Sequence, residues 1–183
     1  MKKARRTVRN CAILLTSAVA VCLCGSSAMA AALYWNNAAG GAASTAGNWN
    51  PVQAPTAADD LTFNLNNVYT VTWSAAANAS RTQTFRRGTV TMSLSATHTL
   101  STGLTVGDLN ADVATMTLTT GTLTSNAAAI IGDASGSTGT VNVNDNDANL
   151  FIGAGADLTV GNGGNGTLKI TGTGLVQVAD QFF

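Results

Sequence analysis

The sequence predicts an all-β chain wound as a parallel, right-handed β-helix, and three observations lead to this fold class. Threonine and valine are abundant and glutamate is absent, a composition that favours strands over helices. Short runs alternate apolar residues with Thr, Asn or Ser, which is typical of a strand with one buried face. A turn motif also returns at regular intervals, which indicates stacked repeats.

The repeat is clearest where an aliphatic strand ends in a glycine. Gly107, Gly132 and Gly161 end such strands and are 25 and 29 residues apart. Each is followed by a polar turn and two more short strands, so the pattern predicts strands starting near 104, 116 and 122, then 129, 140 and 149, then 157, 167 and 175. The side chains predicted to point inward are Leu104, Val106, Met116, Leu118, Ile131, Val141, Val143, Ile152, Leu158, Val160, Leu168 and Ile170.

One such unit cannot fold alone. Burying an aliphatic side chain gains about 1.5–3 kcal/mol, whereas ordering each residue costs about 1–2 kcal/mol of backbone entropy. Stacking removes this deficit because each coil covers the inward side chains of the next. The right hand follows only from the general chirality of parallel crossovers. The alternative is an antiparallel β-sandwich, whose turns also come every 8–12 residues or so.

Four segments follow from these patterns. Residues 1–30 read as a secretory signal peptide, with a basic start, an apolar run and the small-residue site Ala28-Met29-Ala30. Residues 31–60 read as an N-terminal cap, in which Trp35 and Trp49 are large enough to cover the first open coil. Residues 61–103 are predicted to form irregular first coils, and 104–183 three repeat coils with an open end.

Charge excludes several function classes. Five of the nine Lys and Arg residues lie in the predicted signal peptide, whereas all nine acidic residues, each an aspartate, lie after it. The mature chain would therefore be acidic and lacks the basic surface that nucleic acid or an anionic membrane requires. All three cysteines also fall in the signal peptide, so we expect no disulfide, and no cofactor or membrane span in the mature chain.

A family resemblance rests on motifs at both ends of the chain. These are Tyr34-Trp35-Asn36 with Gly47-Asn48-Trp49-Asn50-Pro51, and Val160-Gly161 with Gly166-Thr167-Leu168-Lys169-Ile170-Thr171-Gly172. The chain resembles bacterial exported proteins that carry repeats associated with type V secretion and PEP-CTERM proteins. That resemblance implies a surface β-solenoid similar to an autotransporter passenger, associated with the outer membrane in the full-length protein. Such proteins usually end in a barrel or a sorting tail, so we expect a truncated member with further coils missing.

Residues able to do chemistry are few. His98 is the only histidine, and we expect it to be exposed on a strand or turn. Asp59 and Asp60 are adjacent and would point to opposite faces of an extended chain, whereas Asp145 and Asp147 would point the same way. Two carboxylates can act as acid and base on a polysaccharide. For Asp145 and Asp147, a solvated turn is the favoured interpretation.

Two groups of residues could bind a ligand instead of forming only solvated surface. Asp145, Asp147 and Asn149 have the first three spacings of a calcium loop, but Leu150 replaces the required glycine and no glutamate closes it, so they are weak calcium candidates. Arg81, Arg86 and Arg87 form the one basic cluster of the mature chain and could contact an acidic glycan.

The sequence therefore predicts a non-catalytic, exported structural or adhesive module at the cell surface or in the extracellular matrix. Its Thr- and Asn-rich outer surface suits glycans or other cell-surface material. The alternative function is a β-helix enzyme, a polysaccharide lyase or glycosidase, that uses aspartates.

Overall fold

The computed structural model of the chain describes residues 30–144 and 147–183, so the predicted signal peptide lies outside the described residues except for Ala30. These residues form strands and two 3-10 turns, and no helix among them is long and apolar enough to cross a membrane. The strands are β1 (Ala32–Trp35), β2 (Gly41–Ala42), β3 (Trp49–Asn50), β4 (Asp60–Phe63), β5 (Val68–Trp73), β6 (Ala79–Phe85), β7 (Arg87–Leu94), β8 (His98–Val106), β9 (Val113–Ser125), β10 (Ala129–Ile131), β11 (Thr138–Asn144), β12 (Ala148–Ile152), β13 (Leu158–Val160), β14 (Asn165–Thr171) and β15 (Leu175–Val178).

The strands are wound into a β-solenoid of about six coils. Each strand pairs in parallel with its counterpart one coil away, as β4 does with β6 and β11 with β14. Among the described strands, the one antiparallel pairing joins β1 and β3. Parallel pairing between successive coils confirms the predicted solenoid and excludes the antiparallel sandwich that was its alternative.

Three faces run along the solenoid. Face A consists of β1, β4, β6, β8, β10 and β13, and face B of β2, β5, β7, the first half of β9, β11 and β14. Face C is made by the starts of β6 and β8, the second half of β9, β12 and β15. The strands β6, β8 and β9 each bend from one face to the next, so they carry pairs on two faces.

Alternating residues of each strand point into the solenoid and stack in columns along its axis. One column of face A contains Phe63, Phe85, Val106 and Ile131, and the two phenyl rings of this column stack with their centroids 4.6 Å apart. A column of face B contains Val71, Met92, Leu118 and Val143. All of these side chains are fully buried, so a continuous apolar core fills the interior.

Most of the residues predicted to point inward are buried in these columns, and the last coil is the exception. The buried ones are Leu104, Val106, Met116, Leu118, Ile131, Val141, Val143, Ile152 and Leu158. Val160 and Leu168 are only half-buried. Ile170 pairs with Val143 in the expected register but is 48% exposed, so the prediction that it belongs to the core is wrong. An inward side chain is buried only when coils cover it on both sides, and no described strand pairs with the outer edge of β14.

Aromatic side chains fill the N-terminal end of the solenoid. Trp35 and Trp49 are buried and meet edge to face, with ring centroids 5.0 Å apart. Trp35 also stacks on Tyr69, and Trp49 contacts Phe63. The indole nitrogens donate to the carbonyls of Asn37 and Ala43, and β3 pairs with the outer edge of β1. The predicted cap tryptophans therefore lie where the first coil would otherwise be open.

The three repeat glycines share one backbone conformation. Gly107, Gly132 and Gly161 have φ values of 76°, 75° and 82°, in the left-handed region that favours glycine. At Gly107, a Cβ atom would lie 2.9 Å from the nitrogen of Gly139 in the next coil. At Gly107 and Gly132 the glycine therefore permits both the turn and the close contact between neighbouring coils, whereas at Gly161 it permits the turn.

At the other end, the last residues continue along face A. Phe182 pairs in parallel with Leu158, and the backbone of Phe183 exchanges hydrogen bonds with Leu158 and Val160. Both phenylalanines are 60% exposed. Their backbone thus extends the parallel ladder by one short segment, while their rings remain in solvent.

Candidate functional site

His98 is fully buried, so the prediction of an exposed histidine is wrong. It begins β8 and pairs with Leu123, in an inward column that continues through Leu150 to Val176. The alternation of β8 places His98 on the same side of the strand as Leu100, which is also buried. The histidine therefore replaces an aliphatic residue in the core of face C.

The hydrogen bonds of His98 fix its tautomer. Its Nδ1 lies 3.0 Å from the carbonyl oxygen of Ala77, which can only accept, so Nδ1 carries the proton. Its Nε2 is then an acceptor, and it lies 3.0 Å from Gln83 Nε2 and 3.1 Å from Ser80 Oγ. The ring is thus a neutral imidazole that donates one hydrogen bond from Nδ1, and its single Nε2 lone pair is shared between the Gln83 and Ser80 donors.

Burial opposes the charged form of this ring. Desolvation lowers the pKa of His98 to about 4, although the hydrogen bond to the Ala77 carbonyl acts in the opposite direction. The ring also packs against Trp73, with centroids 4.2 Å apart. Because His98 and its partners Ser80, Gln83 and Trp73 are all buried, His98 cannot reach an external substrate unless the coil opens. Its contacts are those of a structural residue.

The adjacent aspartates point to opposite faces and have separate roles. Asp59 is fully buried, and its carboxylate accepts hydrogen bonds from the backbone of Ala31, from Gln53, and from the backbone and hydroxyl of Thr56. Asp60 points outward on β4, where Arg81 binds it with two nitrogens. Since the two carboxylates face apart, they do not form a pair able to act together on one substrate.

The calcium candidates are only partly described. Asp145 lies outside the described residues, so its part of the prediction stays a prediction. Asp147 is exposed, and its carbonyl oxygen accepts a hydrogen bond of 3.3 Å from the side-chain amide of Asn149. Within residues 30–144 and 147–183, no three acidic, histidine or cysteine side chains are grouped closely enough to hold a metal ion.

The arginines divide into two paired side chains and one without an acidic partner. Arg81 binds Asp60 and Arg86 binds Asp108 with a shortest distance of 2.8 Å, each pair bridging neighbouring coils. Arg87 is exposed at the start of β7, and no described carboxylate lies within ion-pair distance of it. It is therefore the guanidinium of this cluster that is free to meet an external anion.

Arg87 separates two shallow depressions at the corner between faces A and B, each with a volume of about 270 Å³. One is lined by Asn64, Arg86, Arg87, Leu109 and Asp112, and the other by Asn66, Arg87, Ala111 and Val113. The second depression contains no carboxylate, and Leu109 and Val113 expose apolar surface beside it. Together they offer a charge, amides and small apolar contacts, the combination that polar ligands with apolar edges require.

The rest of the outer surface of face B is an array of threonines. One outward column begins at the exposed Val68 and continues through Thr89, Thr115, Thr140 and Thr167, and the next contains Thr91, Thr117, Asn142 and Lys169. Neighbouring members of a column are about 4.8 Å apart, because that is the spacing of paired strands. Hydrogen bonds within the array, such as that from Asn142 to Thr117, hold some of these side chains in place.

Comparison with known proteins adds no relative. A scan against protein-family models, a search of curated proteins and a search of solved structures each found no match. The family resemblance therefore stays a prediction.

The alternation of the sequence indicated that two polar residues are buried, although their residue types favour the surface. Gln83 is two residues before the buried Phe85, and His98 is two before Leu100. Either spacing indicates an inward side chain. In contrast, no local sequence pattern shows that Arg87 lacks an acidic partner, because its pairing depends on which aspartates the neighbouring coils place beside it.

Proposed function

We propose that the chain is an exported, non-catalytic structural or adhesive module that contacts glycans at the cell surface or in the extracellular matrix. The observation that carries the proposal is the outer surface of face B, where hydroxyls repeat from coil to coil on a rigid scaffold. A regular array of donors and acceptors suits a ligand that also repeats, such as a polysaccharide. Many weak contacts of one kind then act together.

The state of the reactive residues supports a non-catalytic role. His98 and Asp59 are buried and hydrogen-bonded inside the solenoid, and Asp60 is bound by Arg81. A polysaccharide-active enzyme would instead need an exposed pair of groups within reach of one bond. The enzyme remains the competing function, and among its described candidate aspartates Asp147 is the exposed one.

Arg87 supports a preference for acidic glycans. Its guanidinium can bind a carboxylate with two parallel hydrogen bonds, and Asn66 and Val113 line the depression beside it. A uronic acid presents a carboxylate, hydroxyls and an apolar ring edge to these groups.

The test is co-sedimentation of the purified protein with insoluble neutral and acidic polysaccharides, with an assay for new reducing ends in the same tubes. We expect binding without release of reducing ends. The variant Arg87→Gln should weaken binding to the acidic material. Its matched control Arg81→Gln removes the same charge from a guanidinium already paired with Asp60, so it should have little effect. Release of reducing ends that is lost in Asp147→Asn would establish the enzyme instead.

A further inference from the structure

Asp59 is a buried carboxylate surrounded by neutral donors. It is fully buried, and its Oδ2 accepts from the backbone of Thr56 at 2.8 Å, from the Thr56 hydroxyl at 2.9 Å and from the Gln53 amide at 3.2 Å. No described Lys or Arg side chain forms an ion pair with it. A buried charge normally requires an opposite charge as well as hydrogen bonds, so this site has an acceptor to spare for a cation.

The other carboxylate oxygen of Asp59 accepts a hydrogen bond from one backbone nitrogen. Its Oδ1 lies 2.8 Å from the backbone nitrogen of Ala31. The other side of Ala31 is held as well, because its carbonyl accepts a hydrogen bond of 2.8 Å from the backbone of Asp60. Ala32 then begins β1 in register with Asp60. The position of the Ala31 nitrogen is therefore fixed by the first parallel pairing of the solenoid.

That nitrogen directly follows the small-residue motif Ala28-Met29-Ala30, at which the sequence predicts cleavage of a signal peptide. Ala30 is exposed, so the bond that joins it to Ala31 is on the surface of the solenoid.

We propose that hydrolysis of the Ala30–Ala31 peptide bond creates the missing cation, and that the new α-ammonium of Ala31 forms a salt bridge with Asp59. The inference rests on the export part of the proposed function. Water adds across the bond under a peptidase of the export pathway: the carbonyl carbon of Ala30 takes the hydroxyl and becomes a carboxylate. The Ala31 nitrogen keeps its hydrogen and takes up two protons, one from the water and one released by the new carboxyl group, to become an ammonium. An amide that donates one hydrogen bond is thus replaced by a charged group that donates three.

Cleavage at a neighbouring bond would not make this contact. In a chain that begins at Ala30, the ammonium is on Ala30, and the nitrogen of Ala31 that faces Asp59 Oδ1 remains a neutral amide. A chain beginning at Ala32 has no nitrogen at that position. Of these three N-termini, Asp59 therefore fits only the one at Ala31, and removal of the signal peptide at that bond completes the N-terminal coil.

The experiment compares the unfolding temperatures of chains that begin at Ala30, Ala31 and Ala32, each with Asp59 and with Asp59→Asn. We expect the chain beginning at Ala31 to be the most stable in the Asp59 background, by about 3 °C or more, a shift typical of one well-placed contact in a chain of this size. Nα-acetylation should abolish that advantage, and in the Asp59→Asn background the three starts should not differ in this order. Equal unfolding temperatures for the starts at Ala30 and Ala31 with Asp59 present would overturn the salt bridge, whether or not the Asp59→Asn chains fold.

Sequencing of the N-terminus of protein recovered from the exporting host completes the test. A first residue Ala31 supports the inference. Export with a different first residue would overturn the inference and leave the proposed function standing. No export, together with a stability maximum at Ala31, would reject the exported role and leave the Asp59 site intact.

Discussion

Gln83 Nε2 lies 3.0 Å from His98 Nε2 in the interior of the solenoid, where face A meets face C. Gln83 stands in a column between Leu61 and Leu104, and His98 pairs with Leu123. Two aliphatic columns are therefore interrupted in the same region by polar side chains that bind each other. Either side chain without the other would leave a buried polar group without its partner, so the two positions are expected to depend on each other.

The first prediction concerns this dependence. His98→Leu should lower the free energy of unfolding by about 1–3 kcal/mol, because Gln83 and Ser80 lose their buried acceptor. The double variant with Gln83→Leu should be more stable than the sum of the single changes predicts, since two leucines restore both columns. Urea unfolding of the four proteins gives the coupling energy, expected at about 0.5–3 kcal/mol. Additive effects would show that the contact contributes no specific stability.

The second prediction is a pH dependence of stability. The pKa of His98 is lowered by burial to about 4 in the folded protein, whereas a histidine in an unfolded chain titrates near 6.5. The unfolded chain therefore binds the proton first. The contribution of His98 is fully present above about pH 6.5 and is lost as the pH falls to about 4, by about 3 kcal/mol at most.

Unfolding of the wild type and of the double leucine variant across this pH range isolates the effect, because His98 is the only histidine of the chain. The difference in stability between the two proteins should change between pH 6.5 and 4. A constant difference would mean that the ring is already charged in the folded state or that it titrates normally.

The same residues explain how far sequence could predict the fold. Alternation and the returning glycine predicted parallel coils because both record a backbone periodicity, which every coil repeats. His98 was misplaced because its residue type favours the surface, while its spacing from Leu100 indicated the interior. The register of β8 determines that His98 points inward, since a strand cannot turn one side chain outward without moving its neighbours to the other face.

The remaining differences arise from contacts between coils. Ile170 has the spacing of a core residue, yet its burial depends on a covering strand that spacing alone does not report. The pairing of Arg86 with Asp108 depends on how far one coil is rotated over the next. Local sequence does not contain that rotation, so the free guanidinium of Arg87 could be recognised only in the structure.

The third prediction compares a buried inward position, an inward position that no coil covers, and an outward position. Val106→Asp should abolish cooperative folding, because it places a carboxylate between Phe85 and Ile131 in the dry column of face A. Ile170→Asp should cost only about 1 kcal/mol, since its side chain is already half in solvent. Thr105→Asp, on the outward side next to Val106, is the matched control and should be mild. Thermal unfolding by circular dichroism measures all three, and equal tolerance of Val106→Asp and Thr105→Asp would contradict the inward assignment.

The last prediction concerns strain in the turn beside Arg87. Ala111 has a φ of 64°, which is in the left-handed region, where an L-residue other than glycine costs about 1–2 kcal/mol. The turn is held in this shape by Asp112, whose carboxylate accepts a hydrogen bond of 2.8 Å from the backbone of Leu109. Ala111→Gly should therefore raise the free energy of unfolding by about 1 kcal/mol, because it removes the strain at a smaller entropic cost.

The control for this variant is Ala79→Gly in the strand β6, where the backbone is extended and no strain is relieved. It should destabilise the protein by about 0.5–1 kcal/mol through the added freedom of the unfolded chain. The two glycine variants thus shift the urea midpoint in opposite directions if Ala111 is strained. A loss of stability in both would show that the turn carries no strain. Binding of acidic polysaccharide should persist in Ala111→Gly, because the change removes only one methyl group beside the depression and leaves Arg87 in place.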